Sequence, residues 1–322
     1  MSITITGGIT IAGGGWTVVA GPTGNKAIFG YGGNAGGGLA ITNLVSNAGV
    51  VATDTAGVGS ARTAVAAAGY GTDKAIFGYG VLPSGGGSAA ITNKVSNTGV
   101  VATDTTGVGT ARYGLAAAGY GTDKAIFGYG SVTSPSFAVV SMTNLVSNTG
   151  VVATDTTGVG TARTNPAAVT YGSDKAIFGY GQTSFFSQTM DSMTNKVSNT
   201  GVVATDTTGV GTARAYLAAA SYGSSGQAIF GYGYSGAPSY LQLSITNLVS
   251  NTGVVATDTT GIGTVRNDLA AAGYGSDKAI FGYGYTTTYT AITNLVSNTG
   301  VVATDTTGVG TARSTLAAAA YG

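Results

Sequence analysis

Lys26-Ala27-Ile28-Phe29-Gly30-Tyr31-Gly32 is the first of six near-identical copies of one heptapeptide. The copies begin at Lys26, Lys74, Lys124, Lys175, Gln227 and Lys278. The alanines at their second positions are 48, 50, 51, 52 and 51 residues apart. A period of this length predicts an array of similar structural units.

Four further features follow each heptapeptide at nearly constant offsets. A Thr-Asn-Leu/Lys-Val-Ser-Asn motif comes first, then Gly-Val-Val-Ala-Thr-Asp-Thr, then a single arginine and an alanine-rich run that ends in Tyr-Gly. The arginines are Arg62, Arg112, Arg163, Arg214, Arg266 and Arg313. The 322 residues therefore divide into one continuous array of units.

The composition argues against several functional classes. Charged residues make up 8% of the chain and the net charge is +1, which predicts no nucleic-acid partner. The absence of histidine, glutamate and cysteine removes the usual general base, many metal ligands and all disulfides, so we expect no enzyme, no metal and no cofactor. A continuous apolar stretch of about 20 residues is also missing, so no membrane insertion is expected.

Within each unit the pattern predicts four short strands and no helix. In the first complete unit these strands, A to D, are expected at residues 65–70, 74–79, 91–96 and 100–105. The turns Gly71-Thr72-Asp73 and Asn97-Thr98-Gly99 are typical of hairpins. Apolar and polar residues alternate or form short runs, and glycine recurs too often for helices.

Four antiparallel strands in about 50 residues are typical of a β-propeller blade. An arginine before strand A, small residues in strand A, the Gly78-Tyr79-Gly80 turn and a Thr/Asp-containing outer hairpin make the sequence resemble the kelch-like propeller family. That resemblance implies an all-β propeller of six four-stranded blades, with seven as the alternative because strands A and D each occur once more near the termini. A parallel β-solenoid is the competing fold. We assign residues 1–16 to an N-terminal segment of short strands, which anchors the chain or closes the ring, and residues 17–322 to the propeller.

Two segments of each unit differ between copies, and we call them the variable segments. The first is the loop between strands B and C, at residues 33–39, 81–89, 131–140, 182–191, 234–243 and 285–290. The second is the pair after each arginine, at residues 63–64, 113–114, 164–165, 215–216, 267–268 and 314–315. In an up-and-down blade both segments lie on the same face, opposite the constant turns. Neutral drift in tolerant loops is the alternative to a binding face.

The variable segments carry the candidate ligand-binding residues. These are Tyr113, Phe137, Phe185, Phe186, Asp191, Tyr216, Tyr234, Tyr240, Asp268, Tyr285 and Tyr289. Aromatic side chains among Ser, Thr, Asn and Gly are typical of adaptable recognition surfaces, and they also suit the apolar faces and hydroxyl groups of sugars. No catalytic residue is assigned.

The repeated charges have two interpretations. The six arginines either line a central channel that binds anions or pair with the aspartates of strand D as structural contacts, and the occurrence of both in every copy favours pairing. The Thr-Asp-Thr-Thr-Gly segments lack the alternating carboxylates and closing glutamate of a calcium loop.

The opening segment from Ser2 to Gly15 is similar to the start of virion proteins of tailed bacteriophages. The resemblance implies a protein made in the host cytoplasm without a signal peptide and located in the virion, where its N-terminus contacts other virion proteins. The variable face would then bind a host-surface glycan or protein, as a non-enzymatic adhesion module. A purely structural decoration or cap protein with incidental loop variation is the alternative.

Overall fold

The computed structural model describes residues 9–12, 15–18, 25–133, 136–184, 188–237 and 239–322, with only the backbone described for the first two ranges. These residues form strands, turns and irregular connections, and no helix occurs among them. The prediction of an all-β chain is confirmed. A helix able to cross a membrane is likewise absent from the described residues.

Six three-stranded antiparallel sheets make up most of the structure. Each contains one Ala-rich strand: β7 (Ala66–Tyr70), β10 (Ala116–Tyr120), β15 (Ala167–Tyr171), β18 (Ala218–Tyr222), β21 (Ala270–Tyr274) or β24 (Ala317–Tyr321). The middle strands are β3 (Lys26–Gly30), β8 (Lys74–Gly78), β11 (Lys124–Gly128), β16 (Lys175–Ser184), β19 (Gln227–Tyr234) and β22 (Lys278–Gly282). The Thr-Asn strands are β6 (Thr42–Val45), β9 (Thr92–Val95), β14 (Thr143–Val146), β17 (Thr189–Val197), β20 (Gln242–Val249) and β23 (Thr293–Val296).

Three further strand pairs are short. They are β1 (Ile9–Ala12) with β2 (Gly15–Val18), β4 (Gly33–Asn34) with β5 (Gly37–Gly38), and β12 (Ser131–Val132) with β13 (Ala138–Val139). The last two pairs lie within variable segments, so these loops continue the sheet locally.

A tight turn joins each Ala-rich strand to its middle strand. In the β7–β8 hairpin Tyr70 pairs with Lys74, and both Gly71 and Thr72 adopt left-handed backbone conformations with φ of 61° and 69°. Two successive left-handed residues give the twist that a two-stranded antiparallel ribbon requires. The predicted hairpin is therefore present, and β8 ends one residue before the predicted boundary because Tyr79 has φ of 64°.

The predicted fourth strand is wrong as a continuous element. Residues 100–105 pair with β9 only at two isolated bridges, Val95 with Val101 and Thr92 with Thr105. Between the two bridges, β9 advances three residues (92 to 95), whereas residues 101 to 105 advance four. Residues 100–105 and their equivalents, which we call the outer segments, therefore contain one extra residue that interrupts the ladder. The side chain of Asn93 fills the interruption by donating to the carbonyl of Ala102 at 3.0 Å.

Neighbouring sheets pack face to face through six hydrophobic clusters. Each cluster joins side chains from two adjacent sheets. The glycine at the end of each middle strand permits close approach: a Cβ on Gly30 would lie 2.7 Å from the Phe77 ring of the next sheet. Phe77 also meets Tyr31 edge-on, with ring centroids 5.1 Å apart.

The contacts between the Ala-rich strands are cyclic. β7 contacts β10, and the sequence continues through β15, β18, β21 and β24 back to β7. Backbone hydrogen bonds between the turns follow the same order, from Gly71 to Asp123, Gly121 to Asp174, Gly172 to Gly226, Gly223 to Asp277, Gly275 to Asn25 and Gly322 to Asp73. β24, near the C-terminus, pairs with β3, so the two ends of the chain complete one sheet.

A buried arginine stabilises the junction of each sheet with its neighbour. Arg112, which is fully buried, donates from Nη2 to Asn144 Oδ1 at 2.6 Å and from Nε to the carbonyl of Tyr129 at 3.0 Å. Its Nη1 donates to the carbonyl of Thr110 at 3.3 Å and lies 3.6 Å from Asp155 Oδ1. The predicted pairing with a repeated aspartate is confirmed for four arginines at 3.6–3.9 Å, namely Arg62 with Asp104, Arg112 with Asp155, Arg163 with Asp206 and Arg214 with Asp258.

The same guanidinium groups also cross to the preceding sheet. Each lies over a tyrosine ring at 4.2–4.6 Å from the centroid: Arg62 on Tyr31, Arg112 on Tyr79, Arg163 on Tyr129, Arg214 on Tyr180, Arg266 on Tyr232 and Arg313 on Tyr283. Stacking of a desolvated guanidinium on an aromatic face contributes about 2 kcal/mol. We call each set of Arg, Tyr, Asn and Asp an arginine box.

Removing residues 316–322 deletes β24, the only Ala-rich strand available to β3 in the described structure. The truncated chain should lose cooperative unfolding, measured by urea titration with circular dichroism. The matched control is removal of residues 1–16, which keeps every strand of the six three-stranded sheets and should stay folded. An unfolded 17–322 chain would instead assign ring closure to the N-terminal segment.

Arg112→Lys should lower the free energy of unfolding by about 2–4 kcal/mol, because lysine cannot replace the fork of donors and leaves buried acceptors without partners. The control is Lys124→Met, which removes an exposed ammonium group whose Nζ lies 2.9 Å from Asp123 Oδ1. This variant should have a urea midpoint of unfolding close to that of wild type. Equal midpoints for the two variants in urea would contradict a stabilising arginine box.

Candidate functional site

The two variable segments of each repeat lie side by side. The first residue of each pair after the arginine forms a β-bridge with the start of the variable loop in the same sheet: Thr63 with Val81, Tyr113 with Ser131, Thr164 with Gln182, Ala215 with Tyr234, Asn267 with Tyr285 and Ser314 with Gly33. Backbone pairing therefore holds both segments in place whatever their side chains are.

The second residue of each pair belongs to a closed chain of backbone hydrogen bonds. We call these six the ring residues: Ala64, Gly114, Asn165, Tyr216, Asp268 and Thr315. Ala64 donates to Thr315, Thr315 to Asp268, Asp268 to Tyr216, Tyr216 to Asn165, Asn165 to Gly114 and Gly114 to Ala64, over 2.6–3.3 Å. All six have left-handed φ values of 52–59°.

The ring residues surround a pit of about 110 Å³. Its floor is formed by the next residue of each repeat, namely Val65, Leu115, Pro166, Leu217, Leu269 and Leu316. The rim is unequal: Asn165, Tyr216, Asp268 and Thr315 are consecutive in the ring and carry polar side chains, whereas Ala64 and Gly114 contribute no polar side-chain atom. The pit therefore combines an apolar floor with polar groups on one side.

Asp268 is the acidic group of the pit. Its Oδ2 accepts a hydrogen bond of 2.7 Å from Asn267 Nδ2. The residue is partly accessible to solvent, yet protein atoms surround the carboxyl group, and this desolvation raises its pKa to about 7. Among the described residues, no lysine or arginine lies within ion-pair distance of it.

Tyr216 lies next to Asp268 in the ring. Its hydroxyl donates to Gln182 Oε1 at 3.2 Å. Burial, together with the Asp268 carboxylate, raises the pKa of Tyr216 to about 12, so the phenol stays neutral. A bulky residue with positive φ is uncommon and marks a position where the surrounding backbone dictates the conformation.

The other predicted binding residues lie outside the pit. Phe137 is 66% exposed and Tyr240 50% exposed, and Tyr285 and Tyr289 form an edge-to-face pair with centroids 5.4 Å apart. Tyr113, Tyr234 and Asp191 are half-buried, and Asp191 Oδ1 accepts from the Met193 amide at 2.6 Å. Phe185 and Phe186 lie outside the described residues.

Sequence reasoning missed four ring residues, Ala64, Gly114, Asn165 and Thr315. The sequence did indicate these four positions, since each is the second residue of a variable pair. Selecting only aromatic and acidic members of those pairs left out the small and uncharged ones.

A second cavity of about 180 Å³ lies among the six Ala-rich strands. Mostly small residues line it, together with larger ones such as Leu115, Tyr120 and Lys124. The hydroxyls of Thr170 and Ser221 donate to the carbonyls of Gly119 and Thr170 on the preceding strands. No arginine lines this cavity, so the alternative of an arginine-lined anion channel is wrong for the described structure. The described residues also contain no cluster of three potential metal-ligating groups.

No protein-family model matches the sequence, and no curated protein is significantly similar to it. The kelch-like and virion resemblances therefore remain predictions, and function has to be argued from the geometry of the pit and the variable segments.

Asp268→Asn should make stability less dependent on pH between about 4 and 7. Because folding raises the pKa of Asp268, ionisation in the folded state is disfavoured, and wild-type stability should fall as pH rises from the unfolded value of about 3.9 towards 7. The variant lacks this loss. From pH 4.5 to pH 8, its free energy of unfolding should therefore rise by at least about 1 kcal/mol relative to that of wild type.

Urea titrations at the two pH values measure this difference. Asp191→Asn controls for the loss of one negative charge from a variable segment. A gain of the same size in both variants would show that general charge, and not the burial of Asp268, is responsible.

Proposed function

We propose that the chain is a six-bladed β-propeller that serves as a non-enzymatic binding module. In this proposal each three-stranded sheet with its outer bridged segment is one blade. Support comes from the cyclic contacts of the Ala-rich strands, the cyclic hydrogen bonds at both ends of these strands, and the pairing of β24 with β3. Six sheets use every copy of the heptapeptide without remainder, which favours six blades over seven.

The observation that carries the binding role is the confinement of sequence variation to one connected surface. The arginine boxes, clusters and turns repeat with little change, while the variable pairs surround the pit and β-bridges join these pairs to the variable loops. Every ring residue has a left-handed backbone, which favours Gly, Asn or Asp. Ala64, Tyr216 and Thr315 do not follow this preference, so the backbone alone does not explain their side chains.

The exposed residues of the variable segments favour a surface glycan as ligand. Phe137, Tyr240 and the Tyr285–Tyr289 pair present aromatic surface beside hydroxyl and amide groups. Such groups together suit the apolar faces and hydroxyls of sugars, and a protein surface is the related alternative. The similarity of residues 2–15 to virion proteins of tailed bacteriophages extends the proposal to an adhesin anchored in the particle through its N-terminus and facing a host cell.

A structural decoration or cap is the second candidate, and one observation favours it. Val50, Val100, Val151, Val202, Val254 and Val301 are 60–67% exposed at equivalent positions of the six outer segments. Exposed apolar residues repeated in this way would suit lateral packing against neighbouring proteins of an assembly. The loop differences would then be incidental.

A binding assay on host cells or a glycan array distinguishes the two candidates. Phe137→Ala should weaken binding about tenfold if the variable face is the adhesive surface, because an exposed aromatic anchor commonly contributes more than 1 kcal/mol. Val151→Ala, which removes a similarly exposed apolar side chain from a constant segment, is the matched control. Binding that is lost in Val151→Ala and retained in Phe137→Ala would contradict an adhesive variable face, and a wild-type chain that binds neither cells nor glycans would favour the structural role.

A further inference from the structure

We infer that the pit between the ring residues binds a primary alkylammonium group, such as the end of a lysine side chain or an amine-bearing substituent of a surface polymer. This inference rests on the proposed function and deepens it, because it specifies a ligand group for the centre of the variable surface.

The first support is the charge distribution. The variable segments contain two charged residues, Asp191 and Asp268, and both are acidic. The lysines belong to constant elements: Lys26, Lys74, Lys124, Lys175 and Lys278 start middle strands, at the end of the sheets opposite the variable segments. Lys94 and Lys196 bind carbonyls of constant turns, those of Thr149 and Thr252.

The arginines are also unable to neutralise the pit. Each is fully buried and stacks on the tyrosine of its box, and none lines the pit. Asp268 therefore offers a carboxylate to a cation that must come from outside the described chain. Asp191 is a weaker candidate, because it does not line the pit.

The second support is shape. Around the Asp268 carboxylate, the neighbouring Tyr216 and Thr315 supply an aromatic group and a hydroxyl, and the floor is apolar. A volume of about 110 Å³ corresponds to three or four groups the size of a water molecule, at about 30 Å³ each. An ammonium with two or three methylenes fits this space, with its stem against the apolar floor.

The third support is that anions and neutral polar groups fit less well. A carboxylate or phosphate would meet Asp268 without a compensating cation in the described structure. A neutral alcohol would gain the apolar floor but would leave the ionised form of Asp268 unpaired.

The site should also respond to pH. Tyr216 faces Asp268 from the adjacent ring position, and Tyr113 and Tyr234 surround Tyr216. Because burial raises the pKa values of Tyr216 and Tyr113, both phenols stay neutral between pH 5.5 and 8.5, and Asp268 is the group that changes charge there. Cation affinity should therefore increase as pH rises through this range.

The test uses n-butylammonium with the full chain, measured by isothermal titration calorimetry at pH 8.5 and 5.5. Wild type should bind more tightly at pH 8.5, and Asp268→Asn should bind about tenfold less tightly or not at all, as expected when a charge-assisted hydrogen bond is lost. Asp191→Asn should bind like wild type, and n-butanol should bind more weakly than n-butylammonium.

Equal n-butylammonium binding by wild type and Asp268→Asn, or equal binding of n-butanol and n-butylammonium by wild type, would overturn the inference. The n-butanol comparison uses only wild type, so the test holds even if a variant fails to fold. If n-butylammonium binding fails these tests but Phe137→Ala still loses cell binding, the amine site alone is refuted. If Phe137→Ala binds cells as wild type does, the proposed adhesive face is refuted.

Discussion

The structure depends on placing a fully buried arginine at every junction between sheets. A buried guanidinium is costly unless each donor has a partner and an opposite charge is near. Arg112 meets this condition with Asn144, two backbone carbonyls and Asp155, and it also stacks on Tyr79 of the preceding sheet. Because these partners come from four chain segments and two sheets, no member can change alone. This constraint explains why the most conspicuous repeated residues are scaffold.

The same constraint determines where variation can occur. Each variable pair starts immediately after the boxed arginine, and each variable loop starts two residues after the boxed tyrosine. Backbone bridges and the closed chain of hydrogen bonds through the ring residues position these segments without using side-chain atoms. Side chains there can differ between repeats while the backbone path stays the same. The fold thus separates a fixed frame from an adjustable surface.

Much of this organisation is predictable from sequence, and the failures have physical causes. The Ala-rich, middle and Thr-Asn strands follow from alternating patterns or short apolar runs bounded by turn residues, and they end within one or two residues of prediction where the loops are short. The fourth strand fails because the Asn93 side chain and one extra residue interrupt its ladder, which propensity does not encode. The sequence analysis predicts Tyr216 and Asp268 as ligand-binding residues. Their meeting with Asn165 and Thr315 depends on contacts between repeats about 50 residues apart, and no local pattern reports these.

A repeated scaffold creates a particular difficulty for function, because six equivalent loops offer six similar positions and no unique one. The pit differs from these positions because all six repeats form it together. Every repeat contributes one ring residue and one floor residue, so the centre is a single site whose chemistry is set by the combination of six different side chains. One aspartate next to one tyrosine gives that centre a polar side, whereas Ala64 and Gly114 add no polar side-chain group. Outer residues such as Phe137 act from individual repeats and can change independently. A ligand that contacts both regions would bind groups from all six repeats at the centre and groups from single repeats at the margin.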